Sequence, residues 1–192
     1  MAIEVEARIL GVDVAALRAR LEQAGATLHE DNLFRETLFA LPSGNRAEYV
    51  RVRHDRRRVL ITYKRRTDDL SRQEIEFGAD DYNAAVELFD RIGLPRLMYR
   101  EKHRTSYRLG DAIISIDRYP GLPAYVEVES TDPTRVQAAC AAIGLDFGAH
   151  FAGGVGDVYR HYGIPLAPGA PLAFSEEERR RIMASLRGLD DG

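Results

Sequence analysis

Five stretches of this chain carry two like charges two residues apart on an otherwise apolar segment: Glu4 and Glu6, Arg51 and Arg53, Glu74 and Glu76, Lys102 and Arg104, Glu127 and Glu129. Side chains two apart on a strand share a face. On the first segment Glu4, Glu6 and Arg8 lie opposite Ile3, Val5, Ala7 and Ile9. Thr62 and Lys64 oppose Ile61 and Tyr63, and Asp117 shares a face with Ser115, opposite Ile114 and Ile116. An antiparallel sheet with one solvated face alternates in the same way and needs no function to do so. A solvated face, however, normally mixes signs with Thr, Ser and Gln, whereas these pairs are sorted by sign. Like charges side by side repel, and they are tolerated best with a counter-charge between them.

A sheet closed into a barrel supplies that counter-charge from its facing wall. The charged faces then turn inward and the apolar faces meet helices outside. Burying so many ions in a dry core would be very costly, so such an interior has to be wet and to hold ions. Clustered carboxylates without His or Cys suit hard divalent cations, Mg²⁺ or Mn²⁺. Clustered Arg and Lys suit phosphate oxygens. A polyphosphate with a bridging metal satisfies both sets, and phosphoryl chemistry there is mostly positioning and charge neutralisation.

The remaining pattern agrees with an α+β chain. Strand-like segments cover 2–10, 33–41, 47–54, 58–66, 71–78, 97–109, 111–118 and 123–130, and helical spacing covers 13–25, 80–93 and 132–144. This predicts a closed eight-stranded antiparallel β-barrel with helices packed outside. Residues 148–173 are rich in Gly, Pro and Ala and read as loop with a short element at Val158–Tyr162. Ser175 to Glu178 form a capping-box signature for a charged helix reaching Leu186, expected to dock on the barrel or on a second subunit. A barrel domain over 1–165 with a C-terminal loop and helix over 166–192 follows.

Several classes are disfavoured. The net charge of −3, from 27 basic and 30 acidic residues, lacks the basic excess of a nucleic-acid binder. A single cysteine, Cys140, forms no intrachain disulfide and reads as a small buried hydrophobe. No stretch is long and apolar enough for a membrane span, and a cytoplasmic location is expected. The histidines have no ligand spacing, and His103 is expected on the outside of its strand. Arg56, Arg57 and Arg58 read as a solvated hairpin turn that also draws anions towards a barrel mouth. Tyr63, Tyr107 and Tyr125 need no role beyond strand packing.

The same residues carry a family resemblance. Glu4-Val5-Glu6-Ala7-Arg8 resembles the E-x-E-x-K signature of the CYTH superfamily, the triphosphate tunnel metalloenzymes. The match continues in order through Arg51-x-Arg53, Thr62-Tyr63-Lys64, Glu74-x-Glu76, Lys102-x-Arg104-x-x-Tyr107, Asp117 and Glu127-x-Glu129, over roughly residues 1–160. Within the family it is most similar to the class IV, CyaB-like, adenylyl cyclases. The resemblance implies Mg²⁺ or Mn²⁺ held by Glu4, Glu6, Asp117, Glu127 and Glu129. It implies a nucleoside triphosphate or other triphosphate held by Arg8, Arg51, Arg53, Lys64, Lys102 and Arg104, with Glu4, Glu6, Lys64 and Glu76 as the catalytic set. A homodimer is compatible with it.

The resemblance does not choose the acceptor. An adenylyl cyclase making cyclic AMP and pyrophosphate leads; a nucleoside, thiamine or inorganic triphosphatase and a non-catalytic nucleotide or polyphosphate binder are the alternatives. Three departures bear on the choice. The signature lysine is Arg8, which cannot act as a base. The family's D-x-Y-F segment aligns with Glu36-Thr37-Leu38-Phe39, so its tyrosine is Leu38. The C-terminal S-Y motif is Val158-Tyr159.

Overall fold

The computed structural model describes residues 2–45, 47–68, 70–167 and 169–186; residues 187–192 of the expected C-terminal unit lie outside them. Eight strands, β1 Ala2–Ile9, β2 Thr27–Ala40, β3 Glu48–His54, β4 Val59–Arg66, β5 Ser71–Ala79, β6 Arg96–Leu109, β7 Ala112–Arg118 and β8 Tyr125–Ser130, pair antiparallel. They close in the order β1-β5-β4-β3-β2-β6-β7-β8. The first strand closes the barrel: its start pairs with β5 (Glu4 opposite Arg72) and its end with β8 (Arg8 opposite Glu127).

The helices are α1 Val14–Gln23, α2 Tyr82–Arg91, α3 Pro133–Ala142, α4 Val155–His161 and α5 Glu176–Ser185. Asp13, Asp81 and Asp132 cap the first three by accepting backbone N–H bonds. The outward residues of β1, β7 and β8 pack with α1 and α3 around Val5, Ala7, Ile114, Val126, Val128 and the buried Cys140. A second cluster joins Phe39, Val52 and Ile61 to Tyr82, Ala85 and Val86 of α2. None of the described helices is long and apolar enough to cross a membrane.

Three expectations are corrected. The second strand starts at Thr27 rather than residue 33, because the polar run His29–Asn32 is held by pairing with β6, with a bulge between Leu28 and Glu30. Polar residues on both faces hid it from a period-two reading. The outer face of β5 is left largely open: Ile75 and Phe77 are 51% and 57% exposed, and Ala79 at its end packs with the α2 cluster. The short element around Val158 is α4, which begins earlier and buries Val158 and Tyr159.

The C-terminal helix docks on the barrel itself. Beyond the end of β7, the chain at Leu172 hydrogen-bonds the free edge of β6: Glu101 N–H donates to Leu172 O at 2.7 Å and Leu172 N–H to Tyr99 O at 3.0 Å. Ser175 caps α5 with the expected capping box. Arg179 then donates to both oxygens of the buried Glu101, at 2.9 and 3.1 Å.

Candidate active site

The inward faces of the strands line a cavity of about 450 Å³. Its wall is divided by sign. The consecutive strands β8, β1 and β5 carry Glu127, Glu129, Glu4, Glu6, Glu74 and Glu76, with Asp117 of the neighbouring β7 buried behind the wall. The other half, β4, β3, β2 and β6, carries Lys64, Arg66, Arg51, Arg53, Arg100, Lys102 and Arg104. Charge sorting along the chain thus becomes charge sorting around the circumference. Three residues cross the divide: Arg8 and Arg72 stand on the acidic half, and Glu36 on the basic half.

Glu36 is fully buried under the basic wall. Arg51 Nη1 donates to its Oε1 at 3.2 Å and Arg100 Nε to its Oε2 at 2.5 Å. Burial alone would raise its pKa, but Arg100 and Arg51 hold the carboxyl far below the usual range. Arg8 is equally committed on the acidic side. Its Nε donates to Glu127 Oε1 at 3.0 Å, its Nη2 to Glu6 Oε1 at 2.8 Å, and its Nη1 to the Gly153 carbonyl. Arg104 grips both Asp117 oxygens, at 2.6 and 2.7 Å, and also reaches Glu127. Lys64 pairs with Glu74 and lies 3.9 Å from Glu4 and 4.0 Å from Glu6. Burial disfavours its charge, yet the carboxylates of Glu6 and Glu74 prevail and raise its pKa.

The carboxylates fit a hard divalent cation. Glu6, Glu127 and Glu129 each bring one oxygen within 4.8 Å of the others. Glu129 is pushed up to about 7 by burial, with Glu127 and Glu6 adding to it against the opposing Arg104. A group so crowded by negative charge favours a cation among its oxygens, and an all-oxygen set suits Mg²⁺ or Mn²⁺. Glu4 stands nearer the mouth, its side chain 40% exposed.

Of the residues expected from sequence, Glu4, Glu6, Arg8, Arg51, Arg53, Lys64, Glu76, Lys102, Arg104, Glu127 and Glu129 all line the cavity. Asp117 does not: it is completely buried behind the wall, its oxygens on Arg104 and, at 3.5 Å, Lys102. In this arrangement it orients two cations of the basic wall.

Several further residues were missed, among them Arg66 and Arg72. Arg100 shares the face of Lys102 and Arg104 two residues further along β6, so the period-two rule already contained it. Glu36 was hidden by its inward neighbours Phe34 and Leu38, which made the face read as apolar. Tyr119 and Tyr125, the latter assigned packing alone, line the cavity as a stacked pair with ring centres 6.0 Å apart, and Arg8 lies 5.3 Å over the Tyr125 ring. At this end Gly153 to Asp157, leading into α4, complete the wall. The altered Val158-Tyr159 motif sits behind them: both side chains are buried, and Tyr159 donates to Pro120 O at 2.6 Å.

The sequence pattern of the CYTH domain matches residues 2–144. No curated protein matches this chain significantly. Among solved structures, a conserved hypothetical protein from Pyrococcus furiosus is 20% identical with a TM-score of 0.72, the match covering 81% of this chain and 99% of that one. A candidate adenylate cyclase from Vibrio parahaemolyticus is 14% identical with a TM-score of 0.70, covering 83% and 98%. A Hippeastrum protein with a dominant triphosphatase activity is 16% identical with a TM-score of 0.55, covering 86% and 98%. At these identities the likeness is one of fold.

Proposed function

Because the chain belongs to the CYTH domain family, we propose that it is a metal-dependent enzyme acting on a triphosphate inside the barrel, and that it cyclises ATP to cyclic AMP and pyrophosphate. The observation that carries the first part is the division of one cavity into an acidic and a basic half. A triphosphate chain laid along Arg51, Arg53, Lys102 and Arg104 leaves its other side towards Glu4, Glu6, Glu127 and Glu129. Mg²⁺ or Mn²⁺ held by those carboxylates supplies charge neutralisation of the polyphosphate.

In the proposed reaction the ribose 3′-oxygen attacks the α-phosphorus, the bond to the bridging oxygen breaks, and pyrophosphate leaves. Arg51, Arg53, Lys64, Lys102 and Arg104 stabilise the charge on the transferring and leaving phosphates. Glu4, which lines the acidic edge of the cavity with Glu76, takes the 3′-hydroxyl proton. Burial, against the opposing pull of Lys64, raises the Glu4 pKa towards the range useful to a base. Glu6 keeps Lys64 charged.

Two residues favour ribose over water as the attacking group. Arg8 stands where the signature lysine would be, permanently charged and bonded to Glu6, Glu127 and Gly153. Leu38 lines the cavity where the signature tyrosine would be. Hydrolysis is the second reading, and the Hippeastrum neighbour's dominant triphosphatase activity favours it. Product analysis with ATP, inorganic triphosphate and thiamine triphosphate, each with Mg²⁺ or Mn²⁺, separates them. Cyclic AMP with pyrophosphate supports cyclisation, and orthophosphate supports hydrolysis. Binding of all three without turnover replaces both with a non-catalytic binder.

A further inference from the structure

A second cavity, of about 360 Å³, lies on the outer face of the barrel over β2, β3 and β6, beside α5. Arg35 is at its centre, with His54 and Glu101 as register partners on either side. The Arg35 guanidinium lies 4.4 Å over the Tyr82 ring, which fixes it, and its Nε is buried without a hydrogen-bond partner. Arg56, from the turn between β3 and β4, and Arg179, from α5, complete the cationic lining. The turn that presents Arg56 is ordered by Asp55, whose side chain accepts the N–H groups of Arg57 and Arg58, both at 2.7 Å.

The one carboxylate lining this cavity among the described residues is already engaged. Glu101 Oε1 accepts from Tyr99 Oη at 2.9 Å and Oε2 from the Phe174 N–H at 3.1 Å, and Arg179 Nη2 reaches both oxygens. Three guanidinium groups and an imidazole therefore line this space, and Glu101, the one carboxylate lining it among the described residues, is matched by Arg179. Leu33 and Tyr99 add an apolar side. The charged lining of this cavity is separate from that of the tunnel: Arg35 and Glu36 are successive on β2 and point to opposite sides of the sheet.

We infer that this outer cavity binds a small phosphate-bearing anion, its oxygens taken by Arg35, Arg56 and Arg179 and its body laid against Leu33 and Tyr99. Three converging guanidinium groups exceed what the two oxygens of a carboxylate can use, whereas a phosphate offers three or four acceptors. The volume falls at the small end of ligand sites, which suits a monophosphate better than a triphosphate. Burial and the neighbouring Arg35 depress the His54 pKa against the opposing Asp55 and Asp81, and a bound dianion adds to the upward pull. The arginine run in this turn, which the tunnel does not use, thereby acquires a ligand.

The test uses the full chain and two probes, inorganic phosphate and AMP, read by the NMR resonances of the His54 imidazole. Either probe is expected to move those resonances and to raise the pH at which His54 titrates. Arg35→Gln and Arg56→Gln are each expected to weaken the response about tenfold, and the exposed position of Arg56 keeps that variant folded. Lys64→Gln in the tunnel is expected to leave the response intact. Tighter binding of AMP assigns the site to a phosphate monoester; equal affinity assigns it to free phosphate. No His54 response to either probe, or a response unchanged in both arginine variants, overturns the inference. A chain that turns over no triphosphate yet shows the response sinks the tunnel reading alone.

Discussion

Arg8 on the first strand lies directly opposite Glu127 on the last, and its Nε donates to Glu127 Oε1 at 3.0 Å across the seam that closes the barrel. The same guanidinium holds Glu6 and the Gly153 carbonyl. Arg8 therefore ties the first and last strands of the barrel to the loop before α4, and it has no proton to give up at working pH.

If Arg8 and Leu38 together withhold water activation, restoring the signature pair should release it. The double variant Arg8→Lys with Leu38→Tyr is expected to raise orthophosphate release from inorganic triphosphate by roughly 10- to 100-fold. A colorimetric phosphate assay reads this directly. A rate no higher than the parent's rejects the idea that these two positions select against water.

The carboxylate trio gives a prediction about metal. Glu129 is crowded by Glu127 and Glu6, so Glu129→Gln removes repulsion as well as a ligand. Without metal the variant is expected to melt at or above the parent temperature. With saturating Mn²⁺ the parent should gain stability, about 2.7 kcal/mol at a hundredfold excess over Kd, and the variant much less. Thermal unfolding with and without Mn²⁺ checks both halves, and equal metal stabilisation of the two proteins removes Glu129 from the metal site.

Arg53 lines the cavity with a loose ion-pair partner, Glu76 at 3.6 Å, and packs 5.1 Å over the Phe34 ring. The fold should bear its loss better than that of Arg51, Arg100 or Arg104, which are tied to buried carboxylates. Arg53→Ala is expected to lower triphosphate turnover about 10²- to 10³-fold with the far-UV circular dichroism unchanged. Full turnover in a folded variant would sink the assignment of the basic wall.

The barrel was legible because sign-sorted pairs leave few other places for the charges, and the pairs themselves named most of the charged residues of the cavity wall. What escaped the sequence has physical causes. Glu36 lies between Phe34 and Leu38, so its strand face looks apolar until the arginines of β3 and β6 are brought against it. Asp117 has the right parity but sits behind Arg104 and Lys102, a depth that periodicity does not encode. Ile75 and Phe77 alternate as a packed face should, yet both stay exposed among the described residues, because packing partners depend on where the connections run. The outer cavity joins β2, β3, β6 and α5, and only the closed topology brings Arg35, Arg56 and Arg179 together.

Glu36 also sets a pH dependence. Arg100 and Arg51 depress its pKa on folding, so its charged form contributes stability. That contribution is fully present above the ordinary glutamate value of 4.5 and is lost as the pH falls from there towards the depressed folded-state value. Glu36→Gln leaves Arg51 and Arg100 buried without their shared partner, which costs about 3 kcal/mol at neutral pH. Urea unfolding of parent and variant at pH 7, 4 and 3 isolates the effect, since the other carboxylates are common to both and cancel in the difference. The gap is expected to narrow as the pH falls below the ordinary value. A gap that stays constant across the series would mean that Glu36 acts through packing and not through its charge.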